Sequence, residues 1–297
     1  LFYRHYILQQ REDKLESYLI DGKVIHCLLL DNGSFDQDFI LMPSTVPTGN
    51  TRFIVDRIYE NVREAPGLLE NYSVEILDLL REINLHQKLK TDTQRLEKII
   101  TEDTKNYFEF LKIRGSKTLV DDETLKRCNE AVAILRMNNQ VEYLLGLLKN
   151  EMDNVDIHNE MFLTAETDKP FGLKGIVDNV KIDHDKKIIY INDLKTTGKT
   201  ISDFKETVEF YNYWAQAAIY ERLIRYRFSE LLTNDWQVIF TFVVIDKYNQ
   251  VYPFEVTPKT MLDWQIKLEL NLAEAIWHYE NRDYVLPYQF ATGKVTL

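Results

Sequence analysis

The sequence predicts a mixed α/β (α+β) protein in which a central mixed sheet is flanked by helices and preceded by a mainly helical half. Three observations predict this. Residues 53 to 150 repeat apolar side chains at helical spacing among long charged ones, as in Leu68, Leu69, Ile76, Leu79, Leu80 and Ile83. From residue 155 the texture changes to short alternating apolar runs, the period of strands. Between two groups of such runs, Phe204 to Phe228 returns to helical periodicity.

Taken in order, residues 4 to 30 read as helix, and residues 31 to 52, with Pro43 and Pro47, as loop or short strands. Several helices follow to residue 150. Ile157 to Leu163 reads as a strand. Lys174 to Ile182 alternates, placing Ile176, Asp178, Val180 and Ile182 on one face. The polar stretch Asp183-His184-Asp185-Lys186 predicts a hairpin into the apolar run Ile188 to Asn192 and on to Lys195. In the helix that follows, Tyr213, Gln216, Ala217, Tyr220, Leu223 and Ile224 form one stripe. Strands Trp236 to Ile245 and Gln250 to Val256 and a last helix near 258 to 281 complete the chain. There is no repeat and no glycine- or serine-rich linker. We read residues 1–297 as one domain, with a mainly helical part at 1–150 and a core at 151–297.

The chemistry concentrates at the end of one strand. In Asp193-Leu194-Lys195 the carboxylate and the ammonium share a face with Ile189 and Ile191, at the mouth of an otherwise apolar strand. The hairpin brings Asp178 near Asp193. A carboxylate on an apolar face costs several kcal/mol unless it is neutralised, paired or bound to a metal. Two converging carboxylates with a lysine beside them therefore predict a cation site. Glu160, on the preceding strand, could supply a third carboxylate, with Glu151 and Glu166 close enough to compete. Gln216 and Tyr220, one turn apart on the inward helix face, need hydrogen-bond partners there.

In this order and spacing, Glu160, Asp178, Asp193-Leu194-Lys195 and Gln216-x-x-x-Tyr220 resemble the PD-(D/E)xK nuclease superfamily, specifically its RecB-like branch. Gly22-Lys23-Val24-Ile25-His26, followed by Phe35 and Met42-Pro43, resembles the Gly-x-x-x-His segment of the RecE (exonuclease VIII) type phage exonucleases. The resemblance covers roughly residues 15 to 43 and 155 to 225; Val177 stands where the family label has proline. It implies a restriction-endonuclease-like core. It also implies one or two Mg2+ or Mn2+ ions held by His26, Asp178, Asp193 and the Leu194 backbone carbonyl, with Glu160 direct or through water. Lys195 would orient or deprotonate the water or stabilise the transition state, and Gln216 and Tyr220 would position water or strand. Gly22, on one helical face with Leu15, Tyr18, Leu19, His26 and Leu29, would let the helix of His26 approach the sheet.

The implied activity is removal of nucleotides from double-stranded DNA ends, 5′ to 3′, for recombination or repair. The implied partners are a single-strand annealing protein and further copies of the chain in a ring. A structure-selective or restriction-like endonuclease, and a catalytically silent DNA-binding or assembly module, are the alternatives. Net charge, −11 from 36 basic and 47 acidic residues, opposes nonspecific attraction to DNA, an objection that a processive enzyme meets if it encloses its substrate in a locally basic channel. Lys112, Arg114 and Lys117, and Arg222, Arg225 and Arg227, are candidate linings that could equally be solvated faces.

Two cysteines, Cys27 and Cys128, fit a reducing cytoplasm, in a bacterium or a phage-infected host, and exclude the four-cysteine iron–sulfur cluster of some RecB-like relatives. No apolar run approaches the roughly 18 residues of a membrane span. The N-terminus is not signal-like, and the start at Leu1 leaves room for an upstream segment. Thr197-Gly198-Lys199-Thr200 ends like a phosphate-binding loop, but Asp193 stands where its first glycine belongs.

Overall fold

A computed structural model describes residues 17–148, 154–167, 169–233 and 235–295. In chain order, α1 (Ser17–Leu30), α2 (Phe35–Asp38) and β1 (Phe39–Leu41) precede the helices α3 (Gly49–Val62), α4 (Ser73–Glu82), α5 (Asp92–Ile99) and α6 (Glu102–Arg114). Strand β2 (Thr118–Val120), α7 (Asp122–Met137) and α8 (Asn139–Leu145) lead to β3 (Val155–Ala165), β4 (Leu173–Asp183) and β5 (Ile188–Thr197). Helices α9 (Phe204–Phe210) and α10 (Tyr213–Arg227), strands β6 (Gln237–Asp246) and β7 (Val251–Val256), and helices α11 (Pro258–Asn281) and α12 (Tyr288–Ala291) follow. The mixed α/β class and the helix-flanked mixed sheet are as predicted.

The chain forms two compact units, residues 33–126 and residues 1–32 with 127–297. The smaller packs α3, α4 and α6 around Ile54, Ile58, Ile76, Leu80 and Phe108, all but fully buried. Two of its helices, α5 and α6, begin at side-chain caps: the Thr91 side chain accepts the Gln94 N–H, and Thr101 and Thr104 form a reciprocal capping box. Two local expectations change here. Helix α3 starts at Gly49, inside the stretch read as loop, and β2 pairs in parallel with β1, interrupting the run read as helical.

The larger unit is built on a five-stranded sheet in the order β3-β4-β5-β6-β7, antiparallel except for the parallel β5–β6 pair. One face carries the apolar core, where Val180, Ile182, Ile189, Ile191, Phe240 and Phe242 meet Trp214, Ala217, Leu223 and Ile224 of α10. The single helix predicted from 204 to 228 is two, because Asn212 adopts φ +56° between α9 and α10.

On the other face the sheet is polar, and its side chains hold helix ends. The last three carbonyls of α8 each receive a donor: Lys181 Nζ to Tyr143 O at 2.6 Å, Asn192 Nδ2 to Leu144 O at 2.8 Å and Asn179 Nδ2 to Leu145 O at 3.1 Å. The Leu144 and Leu145 carbonyls have no partner within the helix, so those contacts meet an obligatory requirement, while Tyr143 O also accepts the Gly146 N–H at 3.3 Å. Asn192 also donates to Asn179, and Asn179 to Asn159, while Asn159 Nδ2 donates to Leu30 O at the end of α1. An amide ladder across β3, β4 and β5 therefore fixes the C-termini of two helices. The buried face of α1 is Val24, Ile25, Leu29 and Leu30, whereas Leu19, expected inward, is 47% exposed. Of the predicted helix 4–30, residues 4 to 16 lie outside the described residues, as do Leu15 and the side chain of Tyr18.

Candidate active site

The site lies where β4 and β5 part. Their ladder runs from Asp183–Ile188 to Asn179–Asn192 and stops. Beyond it β5 continues along β6, and β4 along β3. Asp178 and Asp193, the next residues on each strand, stand at the fork. The Leu194 N–H donates to Asp178 Oδ2 at 2.8 Å, so a side chain replaces the missing ladder bond.

The fork coincides with a change of face in β3 and β4. The β3–β4 register pairs Asn159 with Asn179 and Met161 with Val177 but omits Glu160, which adopts φ +48°. For a residue other than glycine this conformation costs about 1 kcal/mol or more. Leu163 and Val177 pack in the α10 core, whereas Asn159 and Asn179 turn to the helix-holding face. The predicted alternation is thus wrong through Asp178: Val177 and Val180 are both core residues, and Ile176 is 48% exposed.

Helix α1 supplies His26. A Cβ on Gly22 would lie 2.9 Å from Thr196 Oγ1, so the missing side chain permits the approach of α1 to β5 that the sequence predicts. His26 Nε2 is 2.8 Å from the Leu194 carbonyl oxygen, and Nδ1 is 3.7 Å from Asp178 Oδ2 and 3.9 Å from Glu160 Oε1. One potential ligand atom from each of His26, Glu160 and Asp178 falls within 4.8 Å of the others. Burial opposes charge on His26, but Glu160, Asp178 and Asp193 together outweigh it and raise the ring pKa.

Asp193 is fully buried. Lys195 Nζ stands 2.5 Å from Asp193 Oδ2 as an ion pair, while the buried Oδ1 has no partner. Burial works against the Lys195 charge, but Asp193 and Asp178 more than offset it, so Lys195 is an ammonium. Burial, reinforced by Asp193, pushes Asp178 up to about 7, against the opposing pull of His26 and Lys195. Gln216 Nε2 donates to Tyr220 Oη at 2.8 Å, and the Tyr220 ring fits because Gly175 has no Cβ to meet it at 2.7 Å. Burial pushes the Tyr220 hydroxyl up to about 12.

His26, Glu160, Asp178, Asp193, Leu194, Lys195, Gln216 and Tyr220 all belong to the larger unit. Of the residues competing with Glu160, Glu166 follows the end of β3 and Glu151 lies outside the described residues. The basic candidates divide between the two units. Lys112 and Arg114, in the last turn of α6, and Lys117 belong to the smaller unit, and Lys112 pairs with Glu109. Arg222 is held by Gln265 and Glu269, and Arg225 by Glu221. Arg227 lies over the Phe228 ring.

Sequence reasoning missed the amide ladder, and it placed Tyr213 on the inward helical stripe without its contact to Lys195, whose Nζ is 4.8 Å from the ring centroid. Amides at 179 and 192 inside otherwise apolar strands were the available signal for the ladder, since a buried amide demands partners.

A divalent cation suits this arrangement. Asp193 brings unsatisfied buried oxygen, and an imidazole with carboxylates is a donor set that accepts Mg2+ and, through the nitrogen, Mn2+. Among the described residues no helix is long and apolar enough to cross a membrane.

No protein-family model matches the chain, and no curated protein does. Among solved structures the chain is similar to a candidate exonuclease from Eubacterium rectale, with a TM-score of 0.35 and 14% identity over 91% of this chain and 86% of that one.

Proposed function

We propose that the protein is a metal-dependent deoxyribonuclease of the PD-(D/E)xK type that hydrolyses phosphodiester bonds at double-stranded DNA ends, 5′ to 3′. The observation that carries the reading is the convergence of His26, Glu160 and Asp178 at the strand fork, beside buried Asp193 and its ion-paired Lys195. A purely structural carboxylate cluster would be expected to spend its oxygens on hydrogen bonds, and the buried Oδ1 of Asp193 has none.

His26, Asp178, Asp193 and the Leu194 carbonyl would hold Mg2+ or Mn2+, with Glu160 direct or through water. When bound, such a cation supplies Lewis acidity, making water more acidic and offsetting phosphate charge. The protein's own groups do the rest. Asp178, whose pKa is raised to about 7, would serve as a ligand only in its deprotonated form. The Lys195 ammonium, held against Asp193, offers a fixed positive charge to the phosphate oxygens in the transition state, which favours the electrostatic role over that of a base. The bond from Gln216 to Tyr220 fixes both groups for positioning water or strand. End resection for recombination or repair in a bacterial or phage-infected cytoplasm, with a single-strand annealing protein and a ring of copies, belongs to the same reading.

The test incubates end-labelled linear duplex and closed circular DNA with the protein and Mg2+ or Mn2+, with Lys195→Ala as control. Loss of linear DNA alone is expected. Cutting of circles would instead establish an endonuclease, and absence of any metal-dependent cleavage would leave a DNA-binding or assembly module.

A further inference from the structure

We infer that Tyr213 is a positioning residue for Lys195: its ring walls the ammonium and keeps it on Asp193. The inference rests on the nuclease reading for its consequence and on geometry for its substance. Lys195 Nζ has two neighbours of note, Asp193 Oδ2 at 2.5 Å and the Tyr213 ring centroid at 4.8 Å. The second distance is within the range at which an aromatic face attracts a cation. A lysine side chain has four rotatable bonds and a strongly hydrated head, so without a wall it would trade the buried carboxylate for solvent. Here its side chain is only 13% exposed.

Tyr213 can serve as a wall because it is itself fixed. It is the first residue of α10, directly after the turn at Asn212. Its ring stacks on Tyr211 at 5.6 Å and leans on Phe204 and Phe242 of the core. The same helix carries Gln216 and Tyr220, three and seven residues on, so one rigid face sets Lys195 and the amide–phenol pair together. The break between α9 and α10 acquires a purpose on this view, since it starts a new helix at the level of Lys195. Tyr213 acts through Lys195 and touches neither substrate nor metal ligand in this role. The ring face is the active feature, so phenylalanine should substitute for it and an aliphatic side chain of similar bulk should not.

The experiment compares wild type, Tyr213→Phe and Tyr213→Met. With Mn2+ and linear duplex DNA, Tyr213→Phe is expected to keep kcat within about twofold, and Tyr213→Met to lose about five- to thirty-fold. Mn2+ affinity by calorimetry should fall in neither. Independently of activity, the Lys195 side-chain methylene signals in heteronuclear NMR should be shifted upfield by the ring in wild type and Tyr213→Phe, and normal in Tyr213→Met. Equal kcat losses in the two variants, full activity of Tyr213→Met, or unshifted Lys195 signals in wild type would overturn the inference. The wild-type spectrum decides even if Tyr213→Met fails to fold. A wild type inert on all DNA would count against the nuclease reading instead, while the spectrum still judged the contact.

Discussion

Asp178 accepts the backbone N–H of Leu194 at 2.8 Å, so one strand's acid closes the gap that its departure opens in the neighbouring strand. The same carboxylate faces His26 and Asp193, and it is buried. It must therefore serve as a hydrogen-bond acceptor, a charge among charges and a prospective ligand, and these demands conflict in ways that can be measured.

Asp178→Asn should stabilise the metal-free protein while abolishing metal binding and cleavage. With its pKa pushed to about 7 in the fold against an ordinary value of 3.8, the native state holds the proton more tightly than the unfolded chain. The resulting penalty is absent below the unfolded pKa, grows as pH rises and is complete above about 7. Thermal melts at pH 8 should rise by roughly 2–5 °C in the variant, with little gain near pH 4. A lower melting temperature at pH 8 would contradict this.

Mn2+ affinity should weaken by about tenfold for each pH unit below 7, because the Asp178 proton must leave before the carboxylate can bind. The raised pKa of His26 acts in the same direction, since an imidazolium is no ligand. Calorimetry in buffers of different ionisation enthalpy should detect a released proton at pH 6. An affinity constant from pH 5.5 to 8 would rule the coupling out.

Lys195→Ala should remove cleavage and also destabilise the metal-free fold, by roughly 3–5 kcal/mol, since it strands Asp193 as a buried charge. Mn2+ supplies a replacement cation, so it should raise the melting temperature of the variant more than that of the wild type. Differential scanning with and without Mn2+ reads both effects. Equal metal-induced shifts would mean that Asp193 is outside the metal site.

Gly22→Ala should lower Mn2+ affinity, by about three- to tenfold, because the new Cβ would meet Thr196 Oγ1 at 2.9 Å and push α1, with His26, off β5. Thr196→Ala removes that oxygen. The double variant should recover most of the loss, a coupling that a double-mutant cycle on metal affinity would measure. Additive losses would place the effect elsewhere.

Much of the site is legible in the sequence because a hairpin has few ways to form. The two apolar runs and the polar turn between them predict the hairpin that brings Asp178 toward Asp193, although the alternation fails at Asp178 itself, and one helical stripe predicts Gln216 beside Tyr220. What escapes is whatever breaks a period. The positive φ of Glu160 turns two strands over at once, and no propensity announces it in a glutamate. The turn at Asn212 divides a helix whose apolar stripe runs on as if unbroken. Asn159, Asn179 and Asn192 read individually as polar interruptions, and only the register of three strands shows them to be a ladder.

The bond between His26 and Leu194 joins residues 168 positions apart, and this has a consequence for the life of the chain before it is finished. At roughly 5–20 residues per second of synthesis, the histidine helix emerges about ten to thirty seconds before the strand it must meet. During that interval His26 has no Leu194 carbonyl to meet, so on the proposed nuclease reading the full site, with Asp193 and Lys195, assembles only after that strand has been made.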